Sequence, residues 1–508
     1  MPTVPSLRLP TLPPRITARL PSIRLGRLSG LAIVAGALLF ALLAGFLVMT
    51  KGWFGGVYAL ALIVGMWLLA LVAAGKDEHY DWVFLVLLAG IFVIPLVYKV
   101  TYFPLNAPYQ LFILAVGLGC IGALLRQARG SRVLTASLAA FALFLAIGVG
   151  TSVVGRSSVP GAVFQFFSDL KPMFLVAIGY RLAWSPWVEK VFWTVVRWYW
   201  VVALVFIALE WAAPGLHMAI LPGGQLTQDA SGLLPSRAMG TFEHPSFLAN
   251  LTVLLALVCL ARWRETKPMG WGYFWLALVY LAILLCTSSR GELAGFLIAF
   301  SIGLIVLSSR LTWPRVIAGG LLVSLAVIGF WWIFADTILK EAAAWGVGTV
   351  GAVSQPRAQI LFGAFSVANR YFPFGSGLGT YGGAGAEKFD LSLYYELGFG
   401  NYWWFMKEDY LMDTYWPNSL AETGYLGALL LLVSYILLAV HAFVRARQSH
   451  SPRARSYWAL ACCGMWYLLF NSGSSPTFQD PRLFLLVAVM FGIGARLDAR
   501  HAAELKRA

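Results

Sequence analysis

Apolar runs of about 20 residues recur along almost the whole 508-residue chain, each long enough to cross a bilayer's hydrocarbon core as a helix. A backbone in lipid must satisfy its own hydrogen bonds, so every lipid-exposed segment has to close its bonds internally, as an α-helix does. Composition points the same way: 60% of residues are hydrophobic and only 12% are charged, against about 25% charged in a soluble domain. The expectation is an all-α, polytopic transmembrane bundle of about 14 spans, within a range of 12–14. They fall near 30–50, 54–74, 81–98, 109–125, 133–150, 160–181, 188–213, 243–261, 271–287, 290–309, 314–336, 418–444, 456–471 and 481–496. The chain then divides into a disordered, Pro- and Arg-rich cytoplasmic tail (1–29), helices 1–11 (30–336), one large loop (337–417), helices 12–14 (418–496) and a short cytoplasmic tail (497–508).

The net charge of +15 is a topology signal, because Lys and Arg collect in cytoplasmic loops. With the N-terminus inside and the spans alternating, the inner segments hold the tail arginines, Arg126–Arg132, Arg262–Lys267, Arg445–Arg455 and Arg496–Arg507. Both termini should be cytoplasmic and the 337–417 loop extracytoplasmic. The basic residues are scattered over short loops and form no single face, which argues against nucleic acid as a partner; the bilayer itself is the expected one. The five cysteines (Cys120, Cys259, Cys286, Cys462, Cys463) all sit in apolar stretches without metal-ligand spacing and read as small core residues.

Loops as long as 337–417 are usually functional or disordered, and this one is rich in aromatics and glycines, with an amphipathic stretch "QPRAQILFGAFSVANRY". Around it stand three polar groups. "TSSRGELAGFLIAF" carries an S-x-x-E capping pattern at Ser289 and Glu292. Capping does not account for Arg290, a forked donor at a helix N-terminus that suits a phosphate. "DTYWPNSLAETGYLGALLLL" repeats the pattern at Ser419 and Glu422. Arg237, Arg357 and Arg370 belong to the same compartment and could line a pyrophosphate pocket with Arg290, with His244 and Asn418 as polar contacts. Trp403, Trp404 and Tyr415 either form an interfacial belt or stack on sugar rings, with Glu408, Asp409 or Asp413 as candidate base. The run Gly377-Leu378-Gly379-Thr380-Tyr381-Gly382 matches G-x-G-x-x-G, but no strand precedes it, so it reads as a flexible turn and not a dinucleotide site. Asp169, Lys171 and Arg197 lie within spans, where charges pair inside the bundle; an Asp169–Arg197 pair is expected if the two spans are neighbours.

The segments "SRAMGTFEHPSFLAN", "TSSRGELAGFLIAF", "QPRAQILFGAFSVANRYFPFGSGLGTY" and "WPNSLAETGYLGALLLL", in that order over roughly 236–435, resemble the O-antigen ligase/polymerase superfamily. The resemblance implies a bacterial inner-membrane, metal-independent glycosyltransferase with a GT-C-like fold and no cofactor. It would move a glycan from undecaprenyl pyrophosphate at the periplasmic face, with Arg290 and Arg357 holding the donor pyrophosphate. A chain-length regulator protein is a further implied partner. Ligases of this family carry a histidine directly before the asparagine that Asn418 matches; this chain has Pro417. That favours a polymerase of lipid-linked repeat units over a ligase acting on lipid A-core. A lipid-linked glycan flippase is the reading from a different class, against which stands the absence of an obvious duplicated half.

Overall fold

A computed structural model describes residues 77–101, 106–220, 234–266, 270–307, 317, 321, 356–405 and 411–507. The expected tail 1–29, the first two spans, nearly all of 314–336, and Glu408 and Asp409 lie outside the described residues. Within them the chain is all-helical: α1 (Asp77–Thr101), α2 (Asn106–Arg129), α3 (Arg132–Val154), α4 (Val159–Gly179), α5 (Pro186–Ala212), α6 (Pro214–Ile220), α7 (Pro245–Glu265), α8 (Trp271–Cys286), α9 (Arg290–Leu307), α10 (Pro356–Arg370), α11 (Ala384–Phe389), α12 (Ser392–Glu396), α13 (Trp416–Gln448), α14 (Pro452–Asn471) and α15 (Pro481–Leu505). Eight of these, α1–α5, α7, α9 and α13, are long and apolar enough to cross a membrane. The last helix continues through most of the stretch expected as a tail.

Local sequence sets the helix starts. Ser158, Ser185, His244, Ser451 and Asp480 are the residues before α4, α5, α7, α14 and α15, and each helix has proline in its first turn. Four of the five accept a backbone N–H through the side chain; a short polar cap followed by a proline with preset φ starts a helix without leaving its first donors unpaired.

α15 is the central helix: every residue from Leu483 to Gly494 is buried, as expected of a helix that is apolar all round. It packs on α4 and α14, and α13 packs on α3, α10 and α14. α4 packs on α2, α15 and α11, so it does not make the expected pair with α5. Asp169 is bound instead by Gln165 Nε2 at 2.9 Å, and Arg197 donates to the Tyr273 hydroxyl at 2.6 Å.

Described residues between Ile360 and Ala421 build their own core from Ile360, Val367, Tyr381, Tyr394, Phe399 and Trp404, so the described part of the loop is an ordered subdomain. Its Gly-rich turn is not flexible. Residues 375–383 are all buried, wedged between the ends of α3, α4 and α13. Gly377 has φ +101, and a Cβ there would lie 2.3 Å from the Ser157 hydroxyl; only glycine accepts both conditions.

The helix at 416 also starts differently from expectation. Its first residue is Trp416, and no side chain caps it. Ser419 Oγ donates back to the Trp416 carbonyl, while Glu422 accepts the backbone N–H groups of Thr380 and Tyr381 at 2.9 and 3.1 Å. Glu422 is therefore the clasp of the Gly-rich turn. At Gly424 the backbone leaves the helix (φ 68, ψ −174). The break separates two turns that belong to the subdomain from the membrane-length helix beyond.

Candidate functional site

The polar cluster forms at the loop-bearing end of the bundle, where α7, α9, α13 and α15 begin. Arg237 is positioned by its neighbours. The buried Glu210 carboxylate at the end of α5 accepts the N–H groups of Met239 and Gly240 and the Ser236 hydroxyl, and Ala238 N–H bonds the Cys286 carbonyl. The side chain then reaches the Thr287 carbonyl and the Ser289 hydroxyl, both at 3.2 Å. Ser289 immediately precedes half-buried Arg290, the first residue of α9. Arg237 and Arg290 are thus joined through one serine, which spends its hydroxyl on Arg237 and Thr287.

Arg357, in the first turn of α10, pairs with Asp413 at 3.0 Å, both side chains about one-third exposed. His244 ties the two halves together, since the charges of Arg237, Asp413 and Arg357 all act on it. Water reaches the ring, but surrounding protein desolvates it. That desolvation and then Arg237 hold its pKa below the usual histidine value, with Asp413 opposing. Its Nδ1 accepts the Ser246 N–H at 3.2 Å. In the neutral ring Nε2 then carries the proton and is a donor.

Several expected members belong elsewhere. Arg370 sits at the far end of α10, 13 residues and hence roughly 20 Å from Arg357, where Glu396 bridges it to Arg156. Asn418 is buried and fully engaged: it donates to the Tyr381 carbonyl and accepts from Gln165. Tyr415 is 2% exposed, its hydroxyl bonded to that of Tyr435. Trp404 is wholly buried in the subdomain core, stacked on Tyr402 and edge-on to Phe399; of the three aromatics only Trp403, 66% exposed, faces outward. Trp404→Ala is expected to cost about 3–5 kcal/mol of stability and Trp403→Ala under about 0.5 kcal/mol; thermal unfolding in detergent measures both, and equal losses would reject this division.

Sequence reading missed the buried polar relay that fixes the Gly-rich turn. Gly385 N–H donates to Gln165 Oε1, Gln165 Nε2 donates to Asp169 and Asn418, and Asn418 holds the turn that Glu422 clasps. The i,i+4 spacing of Gln165 and Asp169 in an apolar span was a usable signal. No group of three or more His, Cys, Asp or Glu that could hold a metal ion occurs among the described residues. The chain matches no protein-family model, and no curated protein matches it.

Proposed function

We propose that the chain is an integral-membrane glycosyltransferase that polymerises lipid-pyrophosphate-linked glycan repeat units at the periplasmic face of the bacterial inner membrane. The observation that carries this reading is the gathering of Arg237, Arg290, Arg357 and His244 at one end of the bundle, beside an ordered subdomain and at the N-termini of α7 and α9. Guanidinium groups and helix N-termini together suit a pyrophosphate.

In this reading a hydroxyl of the acceptor unit attacks the donor's anomeric carbon, the bond to the pyrophosphate oxygen breaks and the hydroxyl proton is released. Arg290 and Arg357 neutralise the departing charge, and His244 adds a neutral N–H donor. Leaving-group stabilisation in a partly dry site supplies the main catalytic contribution. Full-length protein in detergent, given lipid-linked repeat units alone, is expected to lengthen them. Monomers left unchanged would sink the reading and favour transport; chains appearing only when lipid A-core is added would make the protein a ligase.

The lowered pKa of His244 has a sign. A histidine held neutral in the fold contributes stability that is present above its ordinary value of 6.5 and lost as pH falls below it. His244→Gln keeps a cap acceptor without the titration, so its thermal stability is expected to decline less than the wild type's between pH 6.5 and about 5. Parallel acid limbs would remove His244 from this account.

A further inference from the structure

A second polar feature borders the arginine cluster. A cavity of ≈ 240 Å³ opens between the first turns of α2 and α15, the middle of α4 and the short helix α11; Tyr109, Gln110, Lys171, Lys388, Gln479 and Asp480 line it. Its two lysines stand out. Lys171 is 4% exposed, and its one recorded hydrogen bond runs to the neutral Gln110 amide oxygen at 3.3 Å. Lys388, exposed on α11, sits 4.6 Å over the Phe164 ring. Neither ammonium forms an ion pair among the described residues; the charges of Asp480 and Asp169 act on Lys171 more strongly than the opposing charge of Lys388.

Burying an ammonium without a contacting counter-ion costs several kcal/mol. Of the anions at hand, Asp480 is committed to Arg482, and neither it nor Asp169, whose Oδ2 is buried without a hydrogen bond, forms an ion pair with Lys171. Asp480 accepts three bonds from the Arg482 side chain, and Asp169 is held by Gln165. Arg482 is likewise saturated by Asp480 and Glu243. The cavity therefore offers two cationic donors to an incoming anion. Its volume is below the ~300–1,000 Å³ of drug-sized sites, and the Gln110 and Gln479 amides beside the lysines suit ring hydroxyls.

We propose that this cavity binds an acidic sugar residue of the acceptor glycan, with its carboxylate between Lys171 and Lys388. The word acceptor rests on the function proposed above; the binding itself does not. Position supports it, because two short segments separate the cavity from the arginine cluster. Met412 lines the cavity while the adjacent Asp413 pairs with Arg357, and Glu243 holds Arg482 while the adjacent His244 meets the charges of Arg237 and Arg357.

The test is titration calorimetry on the full chain in detergent, with glucuronate, glucose and inorganic phosphate as probes. Glucuronate is expected to bind about tenfold more tightly than glucose, and Lys388→Gln and Lys171→Gln each to weaken glucuronate about tenfold. Lys388 is on the surface, so its variant reports even if Lys171→Gln misfolds. Equal affinity for glucose and glucuronate, or wild-type affinity in Lys388→Gln, would overturn the proposal; phosphate displacing glucuronate at the same affinity would overturn the sugar assignment. Glucuronate binding in a wild-type protein that makes no polymer would keep this site and reject the glycosyltransferase, whereas polymer formation without a glucuronate preference would do the reverse.

Discussion

Arg290→Ala or Arg357→Ala is expected to lower polymer formation by about 10²–10³-fold, the usual cost of deleting one preorganised donor aimed at developing charge. The loss should leave the protein in the membrane at wild-type level. Arg357 is about one-third exposed and its ion pair with Asp413 lies at a surface, where such a pair contributes about 0–1 kcal/mol, so the variant is expected to fold. The internal control is Arg370→Ala on the same helix. Arg370 meets Glu396 and not the cluster, and its loss should change polymer yield no more than a few-fold. Gel analysis of polymer made by the three purified variants decides. Equal losses from Arg357 and Arg370 would point to a general role for α10 and not to a pyrophosphate site.

Gly424→Ala is expected to cost about 3 kcal/mol or more of stability. The backbone there lies where side-chain-bearing residues pay heavily, and a Cβ would stand 2.6 Å from the Pro373 carbonyl oxygen. The damage should reach activity as well, because Gly375 and Ser376, which lead from α10 into the buried turn, pack directly on this corner. Gly150→Ala in α3 is the matched control. Nothing lies within 4 Å of its Cβ position, and alanine is the better helix former. Thermal unfolding of both in detergent should separate them clearly; similar midpoints would remove the strain argument.

How much of this was legible in the sequence depended on the range of the interaction. Helices set by local pattern were readable: the described spans fall close to the apolar runs, and the Ser-Pro, His-Pro and Asp-Pro starts mark their ends. Glu422 was misread because its partners, Thr380 and Tyr381, lie about 40 residues away, while Ser419 stood at the spacing of a capping box. Arg357 and Arg370 looked alike in composition and were separated only by the geometry of the helix between them. The Trp403-Trp404 pair shows the same limit, since adjacent identical residues took opposite environments once Tyr402 and Phe399 closed over one of them. Lys171 and Asp169 were rightly marked as charges needing an account; Gln165, four residues before Asp169 on the same helix, was within reach of the sequence, whereas Gln110 came only with the packing of α2 on α4.

The Gly-rich turn also imposes an order on synthesis. Its backbone is held from both directions along the chain: Leu378 by the Ser152 hydroxyl, made long before it, and Ser376 and Gly377 by the carbonyls of Ala421 and Glu422, made after it. A ribosome extending at about 5–20 residues per second reaches Glu422 roughly 2–9 s after Gly377. Through that interval the turn lacks the bonds that Ala421 and Glu422 supply. The described subdomain is completed when α13 emerges and delivers Glu422, so the residue that clasps the Gly-rich turn is made only after the turn itself.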